Sequence, residues 1–433
     1  MYNSHARLVF ALKFLMKCTN PKCKAVFTDE EKTPFTCPNC DSPLNINIIH
    51  DKVGKIGLDF FRERTSSMWK FLPFLPLRNA ANIVTLGEGS TPLLPASNLG
   101  KDLKLKNLLM KNETINPTGS YIDRQISLGI SVAKELGFQK AISLSTGNVG
   151  ASVAAYSARA GFKSLCVVPS NYKAGKIQQI KLYGGNVIQI KSNSEKSLMD
   201  LVIKGSKAFN AVNLATTSLY NAFTNHGAKT ILYEIFEQLE TELPDLIVVP
   251  VGGGALISAI MQACLELKEL NFISEVPDFI AVQPEGCHPF IDAITMNLTP
   301  EEVYANAWKN VKTEISALAY DIPFDYSWFY MLKKQVKGSK ISGIVVSDAE
   351  TRAAQKLLSK REGLFVEMAS ATVIAALKKI GANSNELSQF NKVCVILTGT
   401  GILDVDQETK DISIPPAYPD NLDWEKVMKP YFS

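Results

Sequence analysis

Long apolar runs are missing from the front of this chain. The longest early one, Leu8 to Met16, is broken by Lys13 and is too short to cross a bilayer. No small-residue cleavage site precedes Lys17-Cys18, so no secretory signal is expected there, and the stretch reads as a buried strand or helix. Strong charge is also missing. Net charge is +4 over 433 residues with no standout basic run, which argues against a nucleic-acid partner. Internal repeats and low-complexity segments are absent, which excludes a repeat architecture. Outside one cluster, cysteine is sparse. Cys166, Cys264, Cys287 and Cys394 lie mostly in apolar segments and read as reduced core residues, so a cytoplasmic location is expected. His226 and His288 are isolated, and each reads as structural.

What is present suits two or three domains around a large core: 46% hydrophobic and 20% charged residues. Four cysteines cluster near the start. Cys18 and Cys23 form C-x4-C, thirteen residues follow, and Cys37 and Cys40 form C-x2-C. Two such knuckles can close a tetrahedron of thiolates around a structural zinc ion, with no open coordination position. A metal-free ribbon and a disulfide pair are the alternatives. Residues 45–85 are aromatic and proline-broken, and are expected to pack this ribbon onto the body.

From residue 118 the pattern alternates helix and strand. Helices are predicted over 120–136, Asn148–Ala160, Lys173–Tyr183 and 217–239, then from Ala255, from the capping box Ser347-Asp348-Ala349-Glu350 to about 361, and over Glu367–Lys379. Between them lie the predicted strands Ala141–Ser145, Ser164–Val168, Val187–Ile190, Asp245–Val251, Phe279–Gln283 and Val393–Leu397. This is an α/β chain of parallel sheets with helices on their faces. The tail after 404 reads as irregular surface chain.

Three glycine-bearing turns follow predicted strands: Ser145-Thr146-Gly147-Asn148, Val251-Gly252-Gly253-Gly254-Ala255 and Thr398-Gly399-Thr400-Gly401. Ligands of open α/β sheets bind at the carboxyl ends of strands. Free N–H groups and the positive end of a helix dipole converge there, which suits a phosphate. Any one of these turns could equally be a plain tight turn. A fourth stretch, Asn116-Pro117-Thr118-Gly119-Ser120-Tyr121-Ile122-Asp123-Arg124, breaks one element and opens a helix with N–H groups free for an anion.

In order along the chain, these stretches resemble the threonine synthase family of pyridoxal phosphate (PLP) enzymes of fold type II. Gly87-Glu88-Gly89-Ser90-Thr91-Pro92, Gln283-Pro284-Glu285-Gly286 and Val366-Glu367-Met368-Ala369-Ser370-Ala371 add to the resemblance. It implies two doubly wound parallel-sheet domains, a large one from 46–117 and 215–433 and a small one from 118–214, behind a zinc-ribbon-like segment at 1–45. It implies that Gly252, Gly253, Gly254 and Ala255 cradle the PLP phosphate, Asn148 meets the ring hydroxyl, and Thr398 lies near the pyridine nitrogen. Thr118, Ser120 and Arg124, with Ser145 and Thr146 opposite, would then hold a substrate's anionic group. A homodimer is a further implication.

The chain departs from the family at three places. Many members carry asparagine where Gly253 stands. The stretch 303–340 is rich in aromatics, expected either to pack a subdomain or to remodel a substrate or partner surface. Most consequential, the lysine that forms the PLP imine is replaced by Ile122. Isoleucine can neither form an imine nor carry a proton. One expectation is a threonine-synthase-type enzyme acting on O-phosphohomoserine or a related phosphorylated amino acid, with its catalysis in question. The other is a pseudoenzyme or divergent enzyme that binds PLP or another phosphorylated ligand non-covalently. Lys111 is a minor candidate for a substitute base.

Overall fold

The computed structural model describes residues 14–404, apart from 21, 29–34, 50–55, 64–65, 146, 170–173, 192–194 and 384–385. Three sheets organise these residues. The first is antiparallel: β1 (Phe14–Cys18) pairs with β2 (Val26–Thr28) and with β3 (Leu44–Ile48). The last third of the Leu8–Met16 stretch therefore enters a strand; residues 8–13 lie outside the described residues, as does the tail after 404.

The largest sheet combines β4 (Leu93–Pro95) and β5 (Asn107–Asn112) with four later strands. The small sheet comes between them in sequence: β6 (Lys140–Leu144), β7 (Lys163–Pro169), β8 (Asn186–Ile190) and β9 (Val212–Asn213) run parallel in the order β8-β7-β6-β9. The chain then returns to the large sheet with β10 (Leu246–Pro250), β11 (Asp278–Pro284), β12 (Ile341–Val346) and β13 (Lys392–Leu397). Its order is β12-β11-β10-β13-β5-β4, parallel except at the β4 edge.

The continuous apolar run of β10 is explained by helices on both of its faces. Ile247 and Val249 join one core with Leu256, Ile260 and Phe236, while Leu246 and Val248 join another with Val373 and Leu377. The capping box at Ser347 and Glu350 is present, and opens the helix Asp348–Glu362. The helix predicted over 217–239 starts later, as a 3-10 turn at Thr224–Lys229 leading into Thr230–Gln238. Asn221 Oδ1 accepts from the N–H groups of Phe223 and Thr224, a local alternative to helix. β12 was not foreseen. It is an edge strand that needs Gly343, because a Cβ there would lie 2.6 Å from Ile291.

Candidate functional site: a cleft between glycine turns

A cleft of about 390 Å³ opens where the carboxyl ends of the two parallel sheets meet. Gly252, Gly253 and Gly254 leave β10 and open the helix Ala255–Glu269. Their N–H groups find no acceptor among the described residues. Gly254 has φ +101°, a left-handed value that favours glycine, and a Cβ at Gly252 would lie 2.8 Å from the Tyr320 ring. A compact array of free N–H groups at a fifteen-residue helix's N-terminus can hold a phosphate. The residues present thus fit the phosphate of PLP.

Asn148 begins the helix Asn148–Ala160 and reaches the cleft. Its Nδ2 donates to Glu367 Oε2 at 3.1 Å, and its Oδ1 accepts from Lys176 Nζ at 2.7 Å. Thr398, at the end of β13, also lines the cleft, and its hydroxyl lies 2.9 Å from that of Ser370. Ile122 is the first residue of the helix Ile122–Glu135 and closes one side with an aliphatic wall. Tyr121 lines the same cleft. Neighbours on a helix interior would diverge, but Tyr121 is the residue before the first turn.

Four expected substrate contacts lie elsewhere. Arg124 is fully buried behind the cleft, where its guanidinium spans Glu113 and Glu234 with four contacts of 2.6–2.8 Å. Thr118 is turned to Asp123, donating N–H and hydroxyl to that carboxylate at 2.6 Å each. The Ser120 backbone bridges Gly399, and its hydroxyl is buried without a partner among the described residues. Ser145 Oγ accepts from the N–H groups of Gly147 at 3.0 Å and Gly150 at 2.6 Å, so it caps a helix start instead of facing a ligand. Thr146 lies outside the described residues. Lys111 is no cleft base either. It is fully buried, and its ammonium is held 2.7 Å from Glu234 Oε2.

The reason is electrostatic. Two cations, Lys111 and Arg124, meet two carboxylates, Glu113 and Glu234, in the dry interior. Burial opposes the Glu234 charge, but Arg124 and Lys111 outweigh it and hold the carboxyl far below its ordinary value. The same network takes in Thr91 of the Gly87–Pro92 stretch, whose hydroxyl donates to Glu113 at 2.6 Å. That motif is therefore scaffolding.

Several cleft residues were missed by sequence reasoning. Lys176 sits in the helix Ala174–Leu182 and carries no motif. Asp325 carries none either. It packs under Gly253, and its Oδ1 accepts from Ser218 N–H at 2.7 Å and Asn225 Nδ2 at 3.0 Å. Burial pushes its carboxyl up to about 6. Tyr320 and Phe324 of the aromatic stretch line the cleft, while Tyr326, Trp328 and Phe329 are core. Part of that stretch therefore packs the core and part lines the cleft. His226 is buried against Trp328.

At the amino-terminal end, Cys18, Cys23, Cys37 and Cys40 converge, with all four Sγ atoms within 4.8 Å of one another. The cysteines are free thiols, and the nearest pair, Cys18 and Cys40, is 3.5 Å apart, too far for a disulfide. Four soft donors in this spacing fit a tetrahedral metal ion.

Comparison with known proteins agrees with this geometry. Residues 84–399 match the family model described as pyridoxal-phosphate dependent enzyme. Threonine synthase of Methanocaldococcus jannaschii is 36% identical over 397 residues, covering 90% of this chain and 93% of that protein. Threonine synthase of Methanosarcina acetivorans is 32% identical over 388 residues, covering 89% and 91%. Among solved structures, maize serine racemase superposes with a TM-score of 0.60 at 21% identity, covering 79% of this chain and 91% of that one. A fungal L-serine ammonia-lyase from Rhizomucor miehei gives 0.62 at 22%, covering 75% and 99%. With its parallel sheets, its glycine cradle and these relatives, the chain belongs to the pyridoxal-phosphate-dependent enzyme family.

Proposed function

We propose that this chain is a threonine-synthase-like protein that holds PLP in the cleft by its phosphate and receives a phosphorylated amino acid of the O-phosphohomoserine type. The observation that carries this is the cradle Gly252-Gly253-Gly254-Ala255, with free N–H groups at the start of a long buried helix. Asn148 would meet the ring hydroxyl, and Thr398 would lie at the pyridine nitrogen. A neutral hydroxyl there would leave that nitrogen largely unprotonated. When bound, PLP supplies an electron sink for charge developing on the amino acid's carbons. Tyr121, Ile122 and Tyr320 would exclude water from the ring. We read 46–117 with 215–433 as the large domain, 118–214 as the small one, and 1–45 as a ribbon closed by structural zinc on the four cysteines. The eight free thiols support a reducing, cytoplasmic setting.

Ile122 favours a second reading: a pseudoenzyme that binds the same ligands without turnover. It occupies the position of the imine-forming lysine, and its side chain has no titratable atom. Measuring phosphate release from O-phosphohomoserine by the chain as it stands and by Ile122→Lys separates the two. Release by the unchanged chain supports the enzyme. Release only after Ile122→Lys supports the pseudoenzyme. Absence of release from both overturns the choice of substrate.

A further inference from the structure

Losing the lysine at position 122 leaves open where an amine could come from, and the cleft holds one. Among the described cleft-lining residues Lys176 is the single lysine. It is half-buried in the helix Ala174–Leu182, which follows β7 of the small sheet. Its Nζ donates to Asn148 Oδ1 at 2.7 Å. The two deeply buried lysines are committed elsewhere: Lys111 to Glu234 at 2.7 Å, and Lys229 to Glu266 at 2.8 Å. Lys176 is held instead by a neutral amide oxygen. Its four-carbon stem can swing without breaking a buried ion pair.

The partner matters more than the amine. In the reading proposed above, Asn148 lies at the ring hydroxyl of PLP. That hydroxyl is adjacent on the ring to the aldehyde-bearing carbon. An amine resting on Asn148 Oδ1 therefore starts beside the aldehyde.

We propose that Lys176 supplies the amine that Ile122 cannot, forming an imine with the aldehyde of PLP seated in the cleft. This rests on the proposed reading that the cleft holds PLP. The step is a balanced condensation. Lys176 loses its ammonium proton to solvent, and the neutral Nζ adds to the aldehyde carbon. One water leaves as a C=N bond replaces C=O. Nothing is oxidised or reduced. The attachment moves from the helix Ile122–Glu135 of the usual arrangement to the helix Ala174–Leu182, so the phosphate cradle can stay as it is while the tether changes.

The test uses the full chain loaded with PLP. After dialysis, retained PLP is quantified; the sample is then treated with borohydride, digested and mapped by mass spectrometry. The expected result is a reduced pyridoxyl group on the peptide carrying Lys176. Lys176→Arg keeps the cation and the hydrogen bond to Asn148 but holds no stable imine. Lys176→Met keeps the stem alone. Both are expected to lose the adduct while still retaining PLP through its phosphate. Retained PLP in the unmodified chain with no adduct, or with the adduct on another lysine, overturns the role of Lys176 and leaves the PLP reading standing; Lys176 then only positions Asn148 through its hydrogen bond. If the unmodified chain retains no PLP after dialysis and takes no label, the PLP reading itself falls, and this inference with it.

Discussion

Arg124 and Glu234 face each other in the interior with both members of the fork engaged: Nη1 lies 2.6 Å from Oε1 and Nη2 2.7 Å from Oε2. Neither side chain is more than 4% exposed, so water cannot replace a lost partner. Glu113 and Lys111 complete a network with as many positive as negative charges. Arg124→Met would leave two carboxylates facing one lysine. The expected cost is about 3–5 kcal/mol of folding stability. Urea unfolding measures it. A variant as stable as the parent, but defective in ligand binding, would return Arg124 to the substrate site.

Gly253 and Gly254 are adjacent but make opposite predictions. A Cβ on Gly254 would sit 2.8 Å from the Phe290 ring at φ +101°. Gly254→Ala is therefore expected to cost about 1–3 kcal/mol through backbone strain and to weaken PLP retention. At Gly253 the nearest atom to an added Cβ is Asp325 Oδ2 at 3.6 Å, an ordinary contact. Gly253→Ala should change stability by less than about 1 kcal/mol. Thermal melts of the two variants with and without PLP give the comparison.

Asp325 ties the cradle to pH. Burial raises its carboxyl to about 6, so between its ordinary range near 3.8 and that value the folded chain holds a proton the unfolded chain has lost. Its contribution to stability is present at the acid end of this window and is lost as pH rises through it, by on the order of 2–3 kcal/mol. Asp123, raised by burial to about 6, works in the same direction. Asp325→Asn cannot titrate, and Oδ1 can still accept from Ser218. Unfolding free energies at several pH values should show this variant gaining on the parent from pH ~4 to ~6, then running parallel. A constant difference across that range would remove Asp325 as the titrating group.

The ribbon is the test case for metal. Cys37 is fully buried, and its Sγ lies 3.7 Å from that of Cys23. If zinc closes the four-thiolate site, its removal by a chelator should loosen β1–β3, because binding and folding are coupled in such segments. Metal content by elemental analysis should be about one zinc per chain, and lost in Cys37→Ser. Limited proteolysis of residues 14–48 should accelerate in parallel. Full protection with no metal present would favour a metal-free ribbon.

Much of this molecule was legible from local pattern. The helix Asn148–Ala160 begins and ends where its small residues and Gly161 predict, and Ser347 with Glu350 forms the expected capping box. The β10 run announces a strand buried on both sides, and the glycines after it announce a tight turn into a helix. These features depend on neighbours in sequence, which is why they can be read there. The helix predicted over 217–239 begins only at Thr224, because Asn221 captures backbone N–H groups within its own turn.

The roles of individual polar residues depend on distant partners. Nothing near Arg124 in sequence says that Glu234 waits across the interior; without that partner it looks like an exposed anion binder. Ser145 looks like a ligand hydroxyl until the following turn folds back onto it. Lys176 has no motif, and only the packing of its helix beside Asn148 brings its amine to the cleft. The sequence by itself determined the alternation of elements, the glycine turns, the cysteine cluster and the isoleucine at position 122. Tertiary structure alone decided which charges are neutralised inside and which face the cleft, because burial and pairing act through space between segments more than a hundred residues apart.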